Sequence, residues 1–368
     1  MQCVRPGTVK FRNAAEVRDF DPTAHFETKQ IELMDRFAQF AVVSAREAVR
    51  DCGLEWTPAL RERTAVICGC AIGGQASQDE QYFELYRNNR ERIHPLSIPR
   101  VMSSAGASHI TMDLGLTGPS FAISSACASA GHAIGQALAI LRSGQADLAL
   151  AGGSEAPFSH AGLKGWDALR VIAPDTCRPF SRDRKGMILG EGGAMLVLED
   201  LESARTRGAR VYAELAGAGY SADAHHITQP SVAGPARAMR AALADAGLAP
   251  EAVGYINAHG TGTIGNDPVE TRAIREVFGA RASAVAVSST KSMHGHTLGA
   301  AGALEAVATA LALHYGVLPP TANYLGPDPE CDLDVVSNSA REQRLEAALS
   351  NSFAFGGLNA VLGFRAAS

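Results

Sequence analysis

The chain of 368 residues has no C-x-x-C pair, no large excess of one charge and no low-complexity linker. Its seven cysteines, Cys3, Cys52, Cys68, Cys70, Cys127, Cys177 and Cys331, are odd in number and scattered, which argues against a disulfide framework. No stretch reaches the roughly 18 uninterrupted apolar residues that a spanning helix requires. Met1 is followed by Gln2, Cys3, Val4 and Arg5 rather than an apolar signal-peptide core, so the expectation is a soluble cytoplasmic protein. The 33 Lys and Arg against 38 Asp and Glu leave a net charge of −5, with no global attraction to nucleic acid or anionic lipid. Any acidic partner has to meet a local basic patch.

What the chain does have is apolar surface. With 46% hydrophobic and 19% charged residues it can bury a large core. Single cores stop growing near about 250 residues, so two lobes or one large layered α/β unit follow from the length. Apolar residues recur at helical spacing from Met34 to Val49, and Gly53 supplies the stop. Val66 to Cys70, Ser120 to Ser125, Ala146 to Ala151 and Ala194 to Leu198 read as buried strands, with a helix from about Ala128 to Leu141. Cys68 and Cys70, two apart on such a strand, point to one face and read as small core residues.

The second half repeats the plan. It has a helix near Ala236 to Ala246, a strand Val253 to Ala258, a helix after Pro268 and a strand Ala284 to Ser288. A helix from about Ala300 to His314 and a final strand near Ala360 to Phe364 complete it. Residues 1–203 and 204–368 are thus expected to be two α/β halves of one compact body. A local likeness strengthens the duplication: Ser124 to Gly131 and Gly295 to Gly302 each place a reactive side chain before small residues and a long apolar helix.

Cys127 follows a predicted strand and precedes Ala128-Ser129-Ala130-Gly131, the strand–turn–helix setting of a nucleophile elbow. A helix N-terminus there is expected to lower the thiol pKa and to offer N–H groups to an oxyanion. The competing reading is a buried structural cysteine. His259, in Asn257-Ala258-His259-Gly260-Thr261-Gly262-Thr263, leaves a strand on a Gly/Thr turn. His294 and His296, in Ser289-Thr290-Lys291-Ser292-Met293-His294-Gly295-His296, leave another. Taken singly, a histidine is more often a packed or capping residue than a catalyst. A His-x-His metal reading has no third ligand motif beside it. The tail Leu349 to Ala360, with Phe353, Phe355, Gly356 and Gly357, suits a flexible loop that gates a tunnel and offers a backbone N–H, or else a plain glycine-rich turn.

These residues resemble the β-ketoacyl synthase family of condensing enzymes, which have a thiolase-like fold. Cys127, His259 and His296 match its Cys-His-His triad in order and setting, and Ala151-Gly152-Gly153-Ser154-Glu155 and Arg178-Pro179-Phe180-Ser181-Arg182-Asp183 match framework segments. The likeness runs from about Asp19 to Phe364. It implies duplicated α/β halves in a layered αβαβα arrangement and a decarboxylative Claisen condensation. Cys127 would take an acyl chain from acyl carrier protein, and malonyl-carrier protein would lose CO₂ beside His259 and His296. The N–H groups of Cys127 and Phe355 would hold the oxyanion, with Phe353 beside the gate. Lys291 resembles the lysine that sets the histidine environment and Glu305 the acid in its network. Without the resemblance they read as a turn charge and a solvated helix residue. No metal or organic cofactor is implied, because the malonyl thioester carries its own electron sink. Lys29, Arg36 and Arg184 are candidates for docking the acidic carrier. A homodimer joined through sheet edges is implied as well.

Departures from the pattern matter too. The family's opening strand, of the type Val-Val-Val-Thr-Gly, is missing from Met1 to Gly7, so the expectation is a start upstream or a truncated form with a weakened core. Ala354 stands where glycine is usual, and Thr261-Gly262-Thr263-Ile264 replaces Thr-Ser-Thr-Pro. With Met293-His294-Gly295-His296, these variations resemble the nodulation protein E subgroup. A non-catalytic partner like the chain-length factors remains an alternative, although those proteins generally lack the cysteine. A thiolase would need a second cysteine near the C-terminus, and none follows Cys331.

Overall fold

The computed structural model describes residues 9–367, so Cys3 and the opening segment without the family strand lie outside the described residues. In chain order the strands are β1 Thr64–Gly69, β2 Ser120–Ile123, β3 Leu148–Glu155, β4 Gly192–Glu199, β5 Ala213–Ala222, β6 Val253–Asn257 and β7 Ala286–Ser288. Then come β8 Val317–Leu318, β9 Asp334–Val335, β10 Arg341–Glu342, β11 Ala347–Phe353 and β12 Leu358–Ala366. One sheet has the order β2-β1-β3-β4 and the other β5-β12-β11-β6-β7-β9, while β8 and β10 form a small ribbon. β1 runs parallel to β2 and β3, and β6 runs parallel to β7 and β11, with antiparallel strands toward one edge of each sheet. Parallel neighbours need crossover connections, and helices supply them.

Three helix layers enclose the two sheets. Helices Arg36–Cys52 and Ala105–Leu114 cover the outer face of the first sheet, and Ala233–Ala246 and Asn266–Phe278 the outer face of the second. Ser129–Arg142 and Ala301–Tyr315 lie between the sheets and share one apolar cluster with strands of both. The order is αβαβα, as expected. Leu298–Tyr315 is long and apolar enough to cross a membrane by composition, but 67% of that window is buried. A helix apolar on every side is what a layer between two sheets requires. The two central helices approach closely: a Cβ on Gly302 would lie 2.9 Å from the Gly131 nitrogen. Each enters through a left-handed residue, Ala126 at φ 48° and Leu298 at φ 47°, so the likeness seen in sequence is also one of backbone.

Two segments depart from the sequence reading. Leu349 to Phe353 is not loop but most of β11, buried throughout, and only Ala354 to Gly357 forms a turn between β11 and β12. The β5 strand is not apparent from sequence because it is rich in small residues. Its Gly217 and Gly219 let the backbone of helix Ala233–Ala246 sit directly on the sheet. The helix expected after Pro268 starts at Asn266, placing the proline in the first turn, where its missing N–H costs nothing.

Candidate active site

β2 carries the chain into the turn that bears Cys127. Ser129 Oγ accepts from Ser125 N (2.9 Å) and donates to Ala126 O (2.6 Å), pinning the sharp bend at Ala126. Cys127 is buried, and its thiol is pushed up to about 11 by burial, with Lys291 and the Phe355 N–H pulling the other way. The lowered pKa expected from the helix N-terminus is therefore corrected: loss of water outweighs the favourable charges. At neutral pH Cys127 is a thiol.

β6 ends at Asn257, and the turn after it is held by carboxylates from the next helix. Glu270 accepts the N–H groups of His259 (2.9 Å) and Gly260 (2.8 Å), and Asp267 those of Phe180 (2.8 Å) and Gly262 (3.2 Å). Gly260 has φ 37°, and a Cβ there would sit 2.5 Å from Ser289 Cβ. Neither carboxylate's role is legible in sequence, because acids are common in the first turns of helices.

His296 is fixed through its backbone: its N–H donates to Ile188 O (2.6 Å) and its carbonyl accepts from Gly190 N (2.9 Å). Leu298 N donates to His296 Nδ1 at 3.2 Å, so the neutral ring carries its proton on Nε2. That buried Nε2 has no hydrogen-bond partner among the described residues. Glu155, at the end of β3, accepts from Ala71 N (2.7 Å), Ile72 N (3.3 Å) and Gly299 N (3.1 Å), which ties the His296 turn to the first half. Burial lifts its carboxyl to about 7.

Lys291 Nζ lies 3.3 Å from His259 Nδ1 and forms an ion pair with Glu305; both side chains are wholly buried. An ammonium can only donate, so His259 also holds its proton on Nε2 when neutral. The His259 and His296 rings meet edge to face, 5.4 Å between centroids and 83° between planes. Burial and then the Lys291 charge hold both imidazoles well below their usual pKa, hence neutral. Burial lifts Glu305 to about 7 against the pull of Lys291.

Cys127, His259, His296, Phe353 and Phe355 line one cleft of about 760 Å³, its solvent-open part included. The Phe353 ring is buried 6.0 Å from that of His259. Phe355 is 36% exposed, and its backbone N–H faces the Cys127 sulfur. Gly356 (φ 84°) and Gly357 (φ 69°) take left-handed conformations, whereas Ala354 does not, so alanine is unstrained there. Trp166, Thr261, Thr263 and the segment 226–230 also line the cleft. His294 stands apart from His259 and His296: its nitrogens are engaged by Gly295 O and Thr290 Oγ1. Among the described residues no three His, Cys, Asp or Glu side chains are grouped to hold a metal.

The docking candidates fare differently. Lys29 is exposed on the helix Thr28–Leu33. Arg36 turns its guanidinium onto Glu191 (2.8 Å) and across the Phe40 ring rather than outward. Arg184 is buried and paired with Asp328, which removes it as a surface contact.

Fold and cleft together define a condensing enzyme. Residues 3–204 match the β-ketoacyl synthase N-terminal domain, and residues 212–325 the C-terminal domain. The chain belongs to the β-ketoacyl synthase family. It is 52% identical to nodulation protein E of Rhizobium sp. (strain N33) over 95% of this chain and 87% of that one. It is 42% identical to 3-oxoacyl-[acyl-carrier-protein] synthase 2 of Staphylococcus aureus over 96% and 89%. The structure described as the ishigamide ketosynthase/chain length factor matches with a TM-score of 0.95 at 37% identity, covering 100% of this chain and 91% of that one.

Proposed function

We propose that the cleft performs a two-step condensation on carrier-bound thioesters. In the first step Cys127 Sγ attacks the acyl carbonyl, an S–C bond forms, and the carrier thiol leaves with the cysteine's proton. In the second, a malonyl thioester loses CO₂, and its enolate oxygen receives the Nε2–H groups of His259 and His296. The enolate carbon then attacks the Cys127 thioester. A C–C bond forms, the S–C bond breaks, and the departing Cys127 thiolate takes up a proton from solvent. The N–H groups of Cys127 and Phe355 stabilise the tetrahedral oxyanion, where preorganised donors act most strongly. Lys291 and Glu305 hold His259 in its donor tautomer. The single observation that carries this reading is the pair of neutral imidazoles, each with Nδ1 facing a donor, beside a buried thiol.

In this reading residues 1–203 bring the nucleophile and 204–368 the histidines. Acyl carrier protein is the partner that supplies both thioesters, with Lys29 the docking candidate left at the surface. A cytoplasmic location suits a catalytic free thiol and scattered cysteines. A homodimer through β2 is supported by that strand's unpaired edge and by the exposed Phe121 and Met112 beside it. The test is intact-mass spectrometry of the protein with acyl- and malonyl-carrier proteins. An acyl adduct on the native protein, absent from Cys127→Ala, followed by a ketoacyl product two carbons longer, is expected. A folded sample that forms no adduct with any chain would refute the reading.

A further inference from the structure

Glu155 ends β3 wholly buried, and several donors converge on its carboxylate. Oε2 accepts from Ala71 N (2.7 Å) and Gly299 N (3.1 Å), and Oε1 from Ile72 N (3.3 Å), with the Cys70 sulfur 3.6 Å from Oε1. An ionised carboxylate only accepts, and both of its oxygens are engaged here; an amide in its place would set an NH2 against at least one of these N–H groups. Burying a charged group is costly unless hydrogen bonds satisfy it, and these donors do so.

The donors belong to the supports of two different turns. Residues 70–72 follow β1 and carry the approach to the nucleophile: Cys70 N donates to Ile123 O (3.1 Å) at the end of β2, and Ser124 Oγ donates to Ala71 O (3.2 Å). Gly299 lies in the turn after His296, one residue beyond Leu298, whose N–H caps the His296 ring. The two supports meet at the carboxylate, since a Cβ on Gly299 would lie 2.3 Å from Ala71 N and 2.6 Å from Glu155 Oε2. One group therefore fixes the separation between the segment that braces the Cys127 approach and the turn that sets the His296 tautomer.

We propose that Glu155 is a positioning residue: its carboxylate sets the Cys127 turn against the His296 turn, so that an enolate formed beside the histidines lies within reach of the Cys127 thioester. The catalytic part rests on the condensation reading; the clamp between the two turns does not. Acylation needs Cys127 and its N–H donors, and decarboxylation needs the two imidazoles, but only carbon–carbon bond formation needs both in register. A misplaced enolate takes up a proton from solvent instead, and the malonyl thioester ends as CO₂ and an acetyl thioester.

Glu155→Gln keeps the size of the side chain and opposes at least one of the donors. Both measurements are made at about pH 8.5, above the value of about 7 to which burial lifts the native carboxyl. The first mixes Cys127-acylated protein with malonyl-carrier protein and compares CO₂ released with ketoacyl product formed. The ratio should be about one for the native protein and about ten or more for Glu155→Gln, with acylation slowed less than about threefold, because a misplacement on the order of 1 Å suffices for such a loss. A ratio unchanged in the variant, whether all rates fall together or none does, would overturn the proposal, since loss of folded protein lowers CO₂ and product equally. The second is amide hydrogen exchange read by mass spectrometry, which needs no turnover. At least one of the peptides spanning residues 70–72 and 297–300 should exchange faster in Glu155→Gln, while peptides from β5 and β12 keep the native rate. Unchanged exchange in both peptides, or faster exchange throughout the chain, would overturn the clamp. A native protein that forms no ketoacyl product would instead refute the condensation reading and leave the exchange measurement to decide.

Discussion

Two neutral histidines beside a buried lysine depend on which nitrogen each proton occupies. Lys291, 3.3 Å from His259 Nδ1, acts on that ring in two ways: it fixes the tautomer, and its charge holds the ring's pKa low. Removing the ammonium takes away the like charge, so the pKa of His259 rises, and that of His296 with it. The acid limb of malonyl decarboxylation in Lys291→Met should therefore lie at higher pH than in the native enzyme, and a pH–rate profile reads it directly. An unmoved limb would remove Lys291 from the catalytic electrostatics. The same substitution strands Glu305, and breaking one side of a buried pair costs about 3–5 kcal/mol. Lys291→Met/Glu305→Gln, which leaves no uncompensated charge, should have a melting temperature nearer to native than the single variant.

Among the strands, legibility in sequence followed composition: β2 and β4 were expected as buried strands and form as strands, but β2 is an exposed to half-buried edge and β4 is mostly half-buried. β1, β3 and β6 are continuous apolar runs because layers cover both sides, and a run of that kind is recognisable without alternation. β11 is equally buried but carries Ser350, Asn351 and Ser352, so it reads as loop until its neighbours β6 and β12 are known. Cys127 and His259 were legible because each follows a strand on a turn of small residues; His296, expected to leave a strand as well, instead follows the helical turn Lys291–His294 after β7. Glu155 and Glu270 were not, since they accept from backbone N–H groups brought close only by the fold. The same holds for the glycines of β5. A Cβ on Gly219 would lie 2.2 Å from both Ala238 O and Ala242 N, which are backbone atoms that no side-chain rotation can clear. Gly219→Ala should lower the urea midpoint by an amount matching about 1–3 kcal/mol, the usual cost of overpacking. Gly165→Ala, where nothing lies within 4 Å, is the control and should be neutral or stabilising. Equal midpoints for the two variants would mean that β5 and its helix are not packed this tightly.

At the scale of the whole molecule, β2 joins two demands. Its residues from Ser120 lead directly into the Cys127 turn, yet among the described residues it is the edge of its sheet, paired only with β1. An open edge bearing Phe121 at 39% exposure is a template for pairing with another chain. A two-fold axis would bring β2 of two copies together antiparallel and merge their first sheets across the interface. Pro119 O and Ile123 O accept from β1, so by strand alternation Ser120 and Ala122 direct their backbone groups to the free edge. Ala122→Pro therefore deletes an outward N–H while sparing the bonds to β1, and Phe121→Asp places a charge where apolar surface would be buried. If the proposed homodimer forms through β2, the native chain should sediment as a dimer and both variants as monomers. Because β2 leads into the Cys127 turn, the proposed acyl transfer to Cys127 should fall with dimer content across a dilution series. A native chain that remains monomeric at every concentration while transferring acyl groups would show that β2 needs no partner to hold Cys127.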